Sequence, residues 1–101
     1  MNDFLQSKEY KRCVFLCSRR AMLENELLLR KFALEYVPKH YTAADMKELN
    51  KFLNDIFDND LFDVIMGRKK ASEFKEQYNE KFLHDIEKFA YNEYYAEKDM
   101  K

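Results

Sequence analysis

The chain has 101 residues, of which 47% are hydrophobic and 37% are charged; this composition fits one small globular domain and excludes a disordered chain. Its 18 lysine and arginine residues nearly balance 19 aspartate and glutamate residues, so no basic surface for nucleic acid or anionic lipid is expected. One glycine and one proline are too few for the turns of a β-sheet, which favours an all-α fold.

Two helices are predicted in the first part of the chain. Apolar residues recur at helical spacing between Phe4 and Cys17, after a few residues that we expect to fray. A wide apolar stripe over residues 22–37 predicts a central second helix that contacts several neighbours. Pro38 is expected to end this helix, because the residue before a proline avoids helical geometry.

A third helix is predicted to begin after Thr42, where Asp45 supplies an acid in the first turn. Its apolar stripe covers residues 46–56. Asp58 is the expected N-cap of a short fourth helix that ends at Gly67.

The fifth predicted helix carries apolar residues at helical spacing from Phe74 to Phe89, with Ser72 as its expected cap. The polar tail from residue 91 onward is expected to fray. These elements predict a compact five-helix bundle, a single domain over residues 1–101 with an ordered core at about 8–92.

The two cysteines, Cys13 and Cys17, are predicted to be reduced core residues. At i,i+4 on one helix their Cβ atoms lie about 5–6 Å apart, whereas a disulfide needs about 3.5–4.5 Å. His40 and His84 are isolated in the sequence, and neither belongs to a short-spaced pair of metal ligands. We therefore expect no metal site.

Other kinds of site are disfavoured by the residues present. The acidic stretch 58–63 begins like a calcium loop, but Phe62 and Asp63 stand where such a loop needs a ligand and a glycine. The acids Asp58, Asp60 and Asp63 would repel DNA phosphate from a candidate recognition helix. No activated nucleophile or glycine-rich phosphate loop is present. The sequence favours a protein that binds another protein over an enzyme or a nucleic-acid binder.

Two motifs resemble those of the succinate dehydrogenase assembly factor (flavinylation factor) family. The first is residues 17–24 (CSRRAMLE), followed by a leucine cluster at 27–29 and by Phe32. The second is residues 58–67 (DNDLFDVIMG), which is similar to the family's acidic motif. The order and spacing of the motifs agree with the family over residues 12–89.

This resemblance implies a five-helix factor that binds the flavoprotein subunit of succinate dehydrogenase or fumarate reductase. Family members promote covalent attachment of FAD to a histidine of that subunit. The FAD is then carried by the client, and the factor itself is expected to bind no cofactor stably. We expect a free monomer that binds its client one to one. The N-terminus reads as neither a signal nor a transit peptide, so we expect the bacterial cytoplasm rather than the mitochondrial matrix.

The resemblance also implies which residues contact the client. The family's Arg-Gly-x-x-Glu signature corresponds to residues 20–24, with a further arginine before it, and the acidic pair corresponds to two aspartates of the second motif. The partner-binding residues implied in this way are Arg19, Arg20, Ala21, Glu24, Asp58 and Asp60. From spacing alone, Arg20 and Glu24 could share a helix face and form an ion pair.

The chain departs from the family pattern at three positions. Ala21 replaces a glycine, a residue that lets a partner's backbone come close. Asn59 replaces a proline, and Val64 replaces an aromatic residue. The change at Ala21 leaves open a second interpretation, a helical protein-binding adaptor whose partner has changed.

Overall fold

The computed structural model describes residues 3–96, which form helices and turns without a strand. Six helices follow one another along the chain, and the third and sixth each include a π-helical segment. They are α1 (Asp3–Gln6), α2 (Lys8–Ser18), α3 (Leu23–Lys31, Phe32–Tyr36 and Val37–His40), α4 (Ala43–Asp55), α5 (Asp58–Ile65) and α6 (Glu80–Tyr91 and Asn92–Ala96). The predicted all-α fold is confirmed, but the prediction of five helices is wrong.

The additional helix arises because Ser7 divides the first predicted helix in two. Its backbone is extended, with φ −69° and ψ 152°. Its hydroxyl donates to the Phe4 carbonyl at 2.9 Å and accepts from the Tyr10 amide at 3.0 Å. Ser7 thus ends α1 and caps the first turn of α2.

Pro38 does not end the third helix, contrary to the expectation from sequence. A π turn over Phe32–Tyr36 precedes it, and the Val37 amide donates to the Phe32 carbonyl, five residues back. Proline has no amide to donate, and in a regular helix its ring would clash with the carbonyl four residues back. The wider turn accommodates the ring, and the helix continues to His40.

The predicted ends of the later helices are partly confirmed. Thr42 and Asp45 form a capping box at the start of α4. Gly67 follows α5 with φ 77°, the left-handed conformation that glycine adopts without strain. However, α6 is capped by Asn79, whose side chain accepts from the Lys81 amide at 3.0 Å. Ser72, the predicted cap, lies in a separate 3₁₀ turn (Ala71–Phe74).

Aromatic rings fill the core between α3 and α6. The Phe32 and Tyr36 rings stack with their centroids 4.9 Å apart, and Tyr41 contacts Phe82 edge to face at 5.5 Å. The Tyr41 hydroxyl donates to Asp85 at 2.6 Å. Burial and this hydrogen bond raise the pKa of Tyr41, so its phenol stays protonated as a donor.

The face of α2 that carries Cys13 and Cys17 belongs to the core, as predicted. Both are fully buried free thiols, and α2 packs against α4. A hydrogen bond with Cys13, together with burial, raises the pKa of the Cys17 thiol. The Cys17 thiol is therefore not a reactive thiolate.

Two further properties concern the whole described range. None of the helices within residues 3–96 combines the length and the apolar content needed to cross a lipid bilayer. In the same range, no three histidine, cysteine, aspartate or glutamate side chains lie together in a group that could hold a metal ion.

Candidate functional site

Residues 19–22 connect α2 to α3 without being helical, and Arg20 lies in this connection. Its guanidinium forms an ion pair with Asp58, with Nε 2.8 Å from Oδ1. The two remaining nitrogens donate to the carbonyl oxygens of Leu53 at 2.8 Å and Ile56 at 3.1 Å. Arg20 and Glu24 do not share a helix face, because Arg20 precedes α3. The prediction that the two could form an ion pair is therefore wrong.

Asp58 receives donors from the 19–22 connection and from α3. The Ala21 amide donates to Oδ2 at 3.1 Å. The Asn25 side-chain amide donates to Oδ1 and to the Asp58 carbonyl oxygen, both at 3.0 Å. We call Arg20, Ala21, Asn25 and Asp58 the clasp, because together they fasten the start of α3 to the start of α5.

The clasp also determines the charge state of Asp58. Burial by itself raises the pKa of this carboxyl, but hydrogen bonds from Asn25, Arg20 and the Ala21 amide outweigh burial, and the pKa lies below its ordinary value. The Arg20 side chain is only 8% exposed and that of Asp58 22%. Asp58 is therefore an ionised carboxylate enclosed by donors, and not the N-cap predicted from the sequence, since Phe57 flanks α5 and Asp58 is its first helical residue.

Asn25 is the clasp residue that sequence reasoning missed. It is fully buried, and its Oδ1 has no hydrogen-bond partner among the described residues. Its two donor contacts therefore compensate for only part of the cost of burying the amide. The one signal in the sequence was helical register: Asn25 lies three and four residues before Leu28 and Leu29, on the side of α3 that faces the core.

Asp60, the other acid of the second motif, has a separate set of contacts. It accepts a hydrogen bond from the Tyr78 hydroxyl at 2.6 Å. Burial and this bond raise the pKa of Tyr78, whose hydroxyl oxygen also accepts from the Phe57 amide at 3.4 Å. Asp60 thus braces the start of α5 against the segment that precedes α6.

The other three predicted partner-binding residues, Arg19, Ala21 and Glu24, are exposed. The Arg19 guanidinium lies 5.1 Å from the centroid of the Phe15 ring, a cation–π distance. The Glu24 carboxylate forms no ion pair with any residue between 3 and 96, and Glu24 lies in the first turn of α3. Ala21 has an ordinary negative φ, since Gly67 alone has a positive φ within the described range. The backbone at position 21 therefore does not itself require glycine.

Large apolar side chains surround the clasp in the chain. Leu23 is 63% exposed and Phe57 is 71% exposed, and Phe57 directly precedes Asp58. The wide stripe of the second predicted helix is therefore only partly buried: Leu28 faces the core whereas Leu27 does not. Large apolar side chains that stay exposed beside a fixed segment are the kind of surface that protein–protein interfaces use. We call the following residues the exposed face: Phe15, Arg19, Ala21, Leu23, Glu24, Leu27 and Phe57.

The family model described as Sdh5, flavinator of succinate dehydrogenase, matches residues 11–90, which include both halves of the clasp and the whole exposed face. Comparisons with individual curated proteins and with solved structures gave no match. The family match covers well over half of the chain and agrees with the resemblance of the two motifs. This chain therefore belongs to the Sdh5 family, the flavinators of succinate dehydrogenase.

Proposed function

We propose that this chain is an assembly factor that binds the flavoprotein subunit of succinate dehydrogenase or fumarate reductase and promotes covalent attachment of FAD to it. Family membership supports the proposal. The structural observation that carries it is the ion pair between Arg20 and Asp58. This pair joins the two motifs and fixes the segment that displays Arg19, Ala21 and Glu24.

In this proposal the clasp residues position the surface, and the exposed face contacts the client. Arg20 and Asp58 use most of their hydrogen-bonding groups within the chain, so they act through the segment that they hold. A segment already fixed before binding loses less conformational entropy when the complex forms. Apolar side chains such as Leu23 and Phe57 supply affinity, and the charges of Arg19 and Glu24 supply orientation.

The bond-forming chemistry belongs to the flavin and to the client. The factor assists by holding the client in an arrangement that is competent for attachment, which is catalysis by positioning. No residue of this chain is assigned a catalytic role. The proposed complex has one factor and one client subunit, and the free factor is a monomer.

The test is co-expression of the flavoprotein subunit from the same genome with and without this chain. Flavin fluorescence that survives a denaturing gel reports covalent attachment. We expect this signal to depend on the chain and to fall in Glu24→Ala and in Arg19→Ala. Both side chains are exposed, so neither change should lower the melting temperature.

The matched control is Glu48→Ala, which removes an exposed carboxylate from α4 and should leave the signal unchanged. Covalent flavin that is independent of the chain would contradict the proposed function. A signal that depends on the chain but is insensitive to both Arg19→Ala and Glu24→Ala would contradict the proposed surface.

The alternative function is a helical adaptor with a changed partner, and Ala21 is the observation that favours it. Its methyl group lies on an exposed segment where the family normally has glycine, and the backbone conformation there suits either residue. The methyl group therefore acts on how closely a partner can approach. Ala21→Gly separates the two functions: increased flavinylation of a family client supports the assembly factor, and no increase with any such client supports the adaptor.

A further inference from the structure

A groove of about 640 Å³ lies between the end of α5, the loop that follows it and α6. This volume falls within the range of about 300–1,000 Å³ that is common for small-molecule sites. None of its lining residues belongs to the clasp or to the exposed face. The lining comprises Val64, Ile65, Gly67, Lys69, Lys70, Glu87, Lys88, Tyr91 and Asn92.

The loop that forms one wall of the groove is held by hydrogen bonds. The amides of Arg68 and Lys69 both donate to the Asp63 carbonyl oxygen, at 2.8 and 3.1 Å. Further along, the Ala71 amide donates to the Glu87 carboxylate on α6 at 3.1 Å. The wall is therefore fastened at both ends, and the groove exists before any ligand binds.

The groove carries an excess of positive charge. Lys69, Lys70 and Lys88 have no carboxylate within ion-pair distance among residues 3–96, and the Lys69 ammonium lies 5.5 Å from the centroid of the Phe74 ring. Glu87 is the one carboxylate in the lining, and it already accepts from the Ala71 amide. Ammonium groups of one sign around a recess concentrate a field that attracts anions.

Apolar surface accompanies these charges. The ring of Tyr91, which is 52% exposed, lines the groove and supplies most of its accessible apolar side-chain surface. Val64 and Ile65 also line the groove, but they are only 2% and 1% exposed. The aliphatic stems of the lysines add apolar surface below their ammonium groups. A bare inorganic ion would use the charges but not this surface.

We propose that the groove binds a small organic anion that has a flat apolar ring system and one phosphate or carboxylate group. The ring would stack on the exposed ring of Tyr91, and the anionic group would face Lys69 and Lys88. This site is separate from the proposed client surface, and its test does not depend on flavinylation.

Gly67 makes the test direct, because it is the one glycine of the chain and it lines the groove. Its amide resonance can be followed in a two-dimensional nitrogen–proton NMR spectrum of the full chain.

The probes are AMP, which carries a phosphate, and indole-3-acetate, which carries a carboxylate. Adenosine and inorganic phosphate are the controls, because each supplies one half of the proposed ligand. We expect saturable shifts of the Gly67 resonance with AMP or indole-3-acetate, at a Kd of about 1 mM or below, and at least tenfold weaker binding of adenosine and phosphate.

Lys69→Gln and Lys88→Gln should each weaken binding of the anionic probe about two- to fivefold, as loss of an exposed charge pair does. Lys47→Gln, an exposed lysine on α4, is the matched control and should leave the affinity unchanged. The proposal is overturned if neither anion shifts the Gly67 resonance or if phosphate alone binds equally well. It is also overturned if both groove variants bind like the wild type or if the Lys47 control weakens binding to the same degree.

Discussion

Between α3 and α6, aromatic rings such as Phe32, Tyr41 and Phe82 pack together out of solvent. At the start of α5, by contrast, a few polar side chains hold an extended connection in place through directed hydrogen bonds. The aromatic region lies inside the bundle. The clasp residues are neighbours in the sequence of exposed apolar and charged side chains such as Leu23, Glu24 and Phe57.

The contrast between the aromatic region and the clasp shows how a chain of this size can be stable and still hold a binding surface in a fixed conformation. Aromatic burial supplies much of the apolar area removed from water, and it does not depend on the precise direction of each contact. The clasp contributes less free energy, but hydrogen bonds and an ion pair define geometry, and geometry is what a binding segment needs. Substitutions in the two regions should therefore have different consequences.

The largest expected effect comes from Phe82→Ala in the aromatic region. Phe82 is 1% exposed, and truncation of a buried phenylalanine costs about 3–5 kcal/mol of unfolding free energy through lost transfer energy and the cavity left behind. Urea denaturation measures this cost. Leu34→Ala, at a side chain that is 60% exposed, is the control and should change stability by no more than about 0.5 kcal/mol. Equal effects of the two variants would show that the aromatic region is not the main source of stability.

The next effect is that of Arg20→Ala, which leaves the partly buried Asp58 carboxylate without its cation. We expect a loss of about 2–3 kcal/mol in the free energy of unfolding, since hydrogen bonds to charged groups are lost together with the ion pair. Lys51→Ala breaks an exposed pair with Asp55 and should cost no more than about 0.5 kcal/mol. If Arg20→Ala were no more destabilising than Lys51→Ala, the clasp would not hold the segment.

A smaller effect should appear as a pH dependence of stability that disappears in Asp58→Asn. The pKa of Asp58 lies below its ordinary value of 3.8 in the folded state, so the unfolded chain binds the proton more readily. The stabilisation is therefore fully present above pH 3.8 and is lost as the pH falls through the folded-state pKa. In that pH range, the difference in unfolding free energy between the wild type and the variant should decrease. The decrease should be about 1.4 kcal/mol for each unit by which folding lowers the pKa of Asp58. A gap that stays constant from pH 7 to acid would refute an ionised, stabilising Asp58.

The smallest effect on stability is expected for Phe57→Ser, in the exposed face. A side chain that is 71% exposed contributes little to the folded state, so the free energy of unfolding should change by about 0.5 kcal/mol or less. Binding to the client should weaken, because an exposed aromatic residue at an interface is a common anchor. Gel filtration of the variant with the flavoprotein subunit checks this expectation. A complex of undiminished stability would remove Phe57 from the proposed contact surface.

Local patterns were sufficient to predict the all-α class and most helices. Helical spacing marked α4, α5 and α6, the capping box of Thr42 and Asp45 marked one start, and Gly67 marked one end. The break at Ser7 was missed, because the apolar positions on both sides of it continue a helical pattern. The start of α6 was placed too early, because Phe74 has helical spacing to the residues that follow although it lies in a 3₁₀ turn.

The candidate site could be predicted as a set of residues but not as an arrangement. The two motifs pointed to Arg20 and Asp58, yet the ion pair joins residues 38 positions apart, and local spacing contains no information about such a contact. Spacing instead suggested Glu24 as the partner of Arg20. The exposure of Leu23 could not be predicted for a related reason. An apolar side chain at helical spacing gives the same sequence pattern whether it faces the core or a partner.

The π turn at Phe32–Tyr36 determines the angle about the helix axis at which the later residues of α3 project. An α-helix advances about 100° per residue, so one residue gained or lost in this turn would rotate the chain after it by about that angle. Tyr41 would then leave the helix in a different direction, away from Phe82 and from the Asp85 carboxylate that its hydroxyl now reaches. Pro38 and the π turn thus determine the direction in which the chain leaves α3. The number of residues between Phe32 and Tyr41 is therefore constrained as firmly as the identity of the buried side chains.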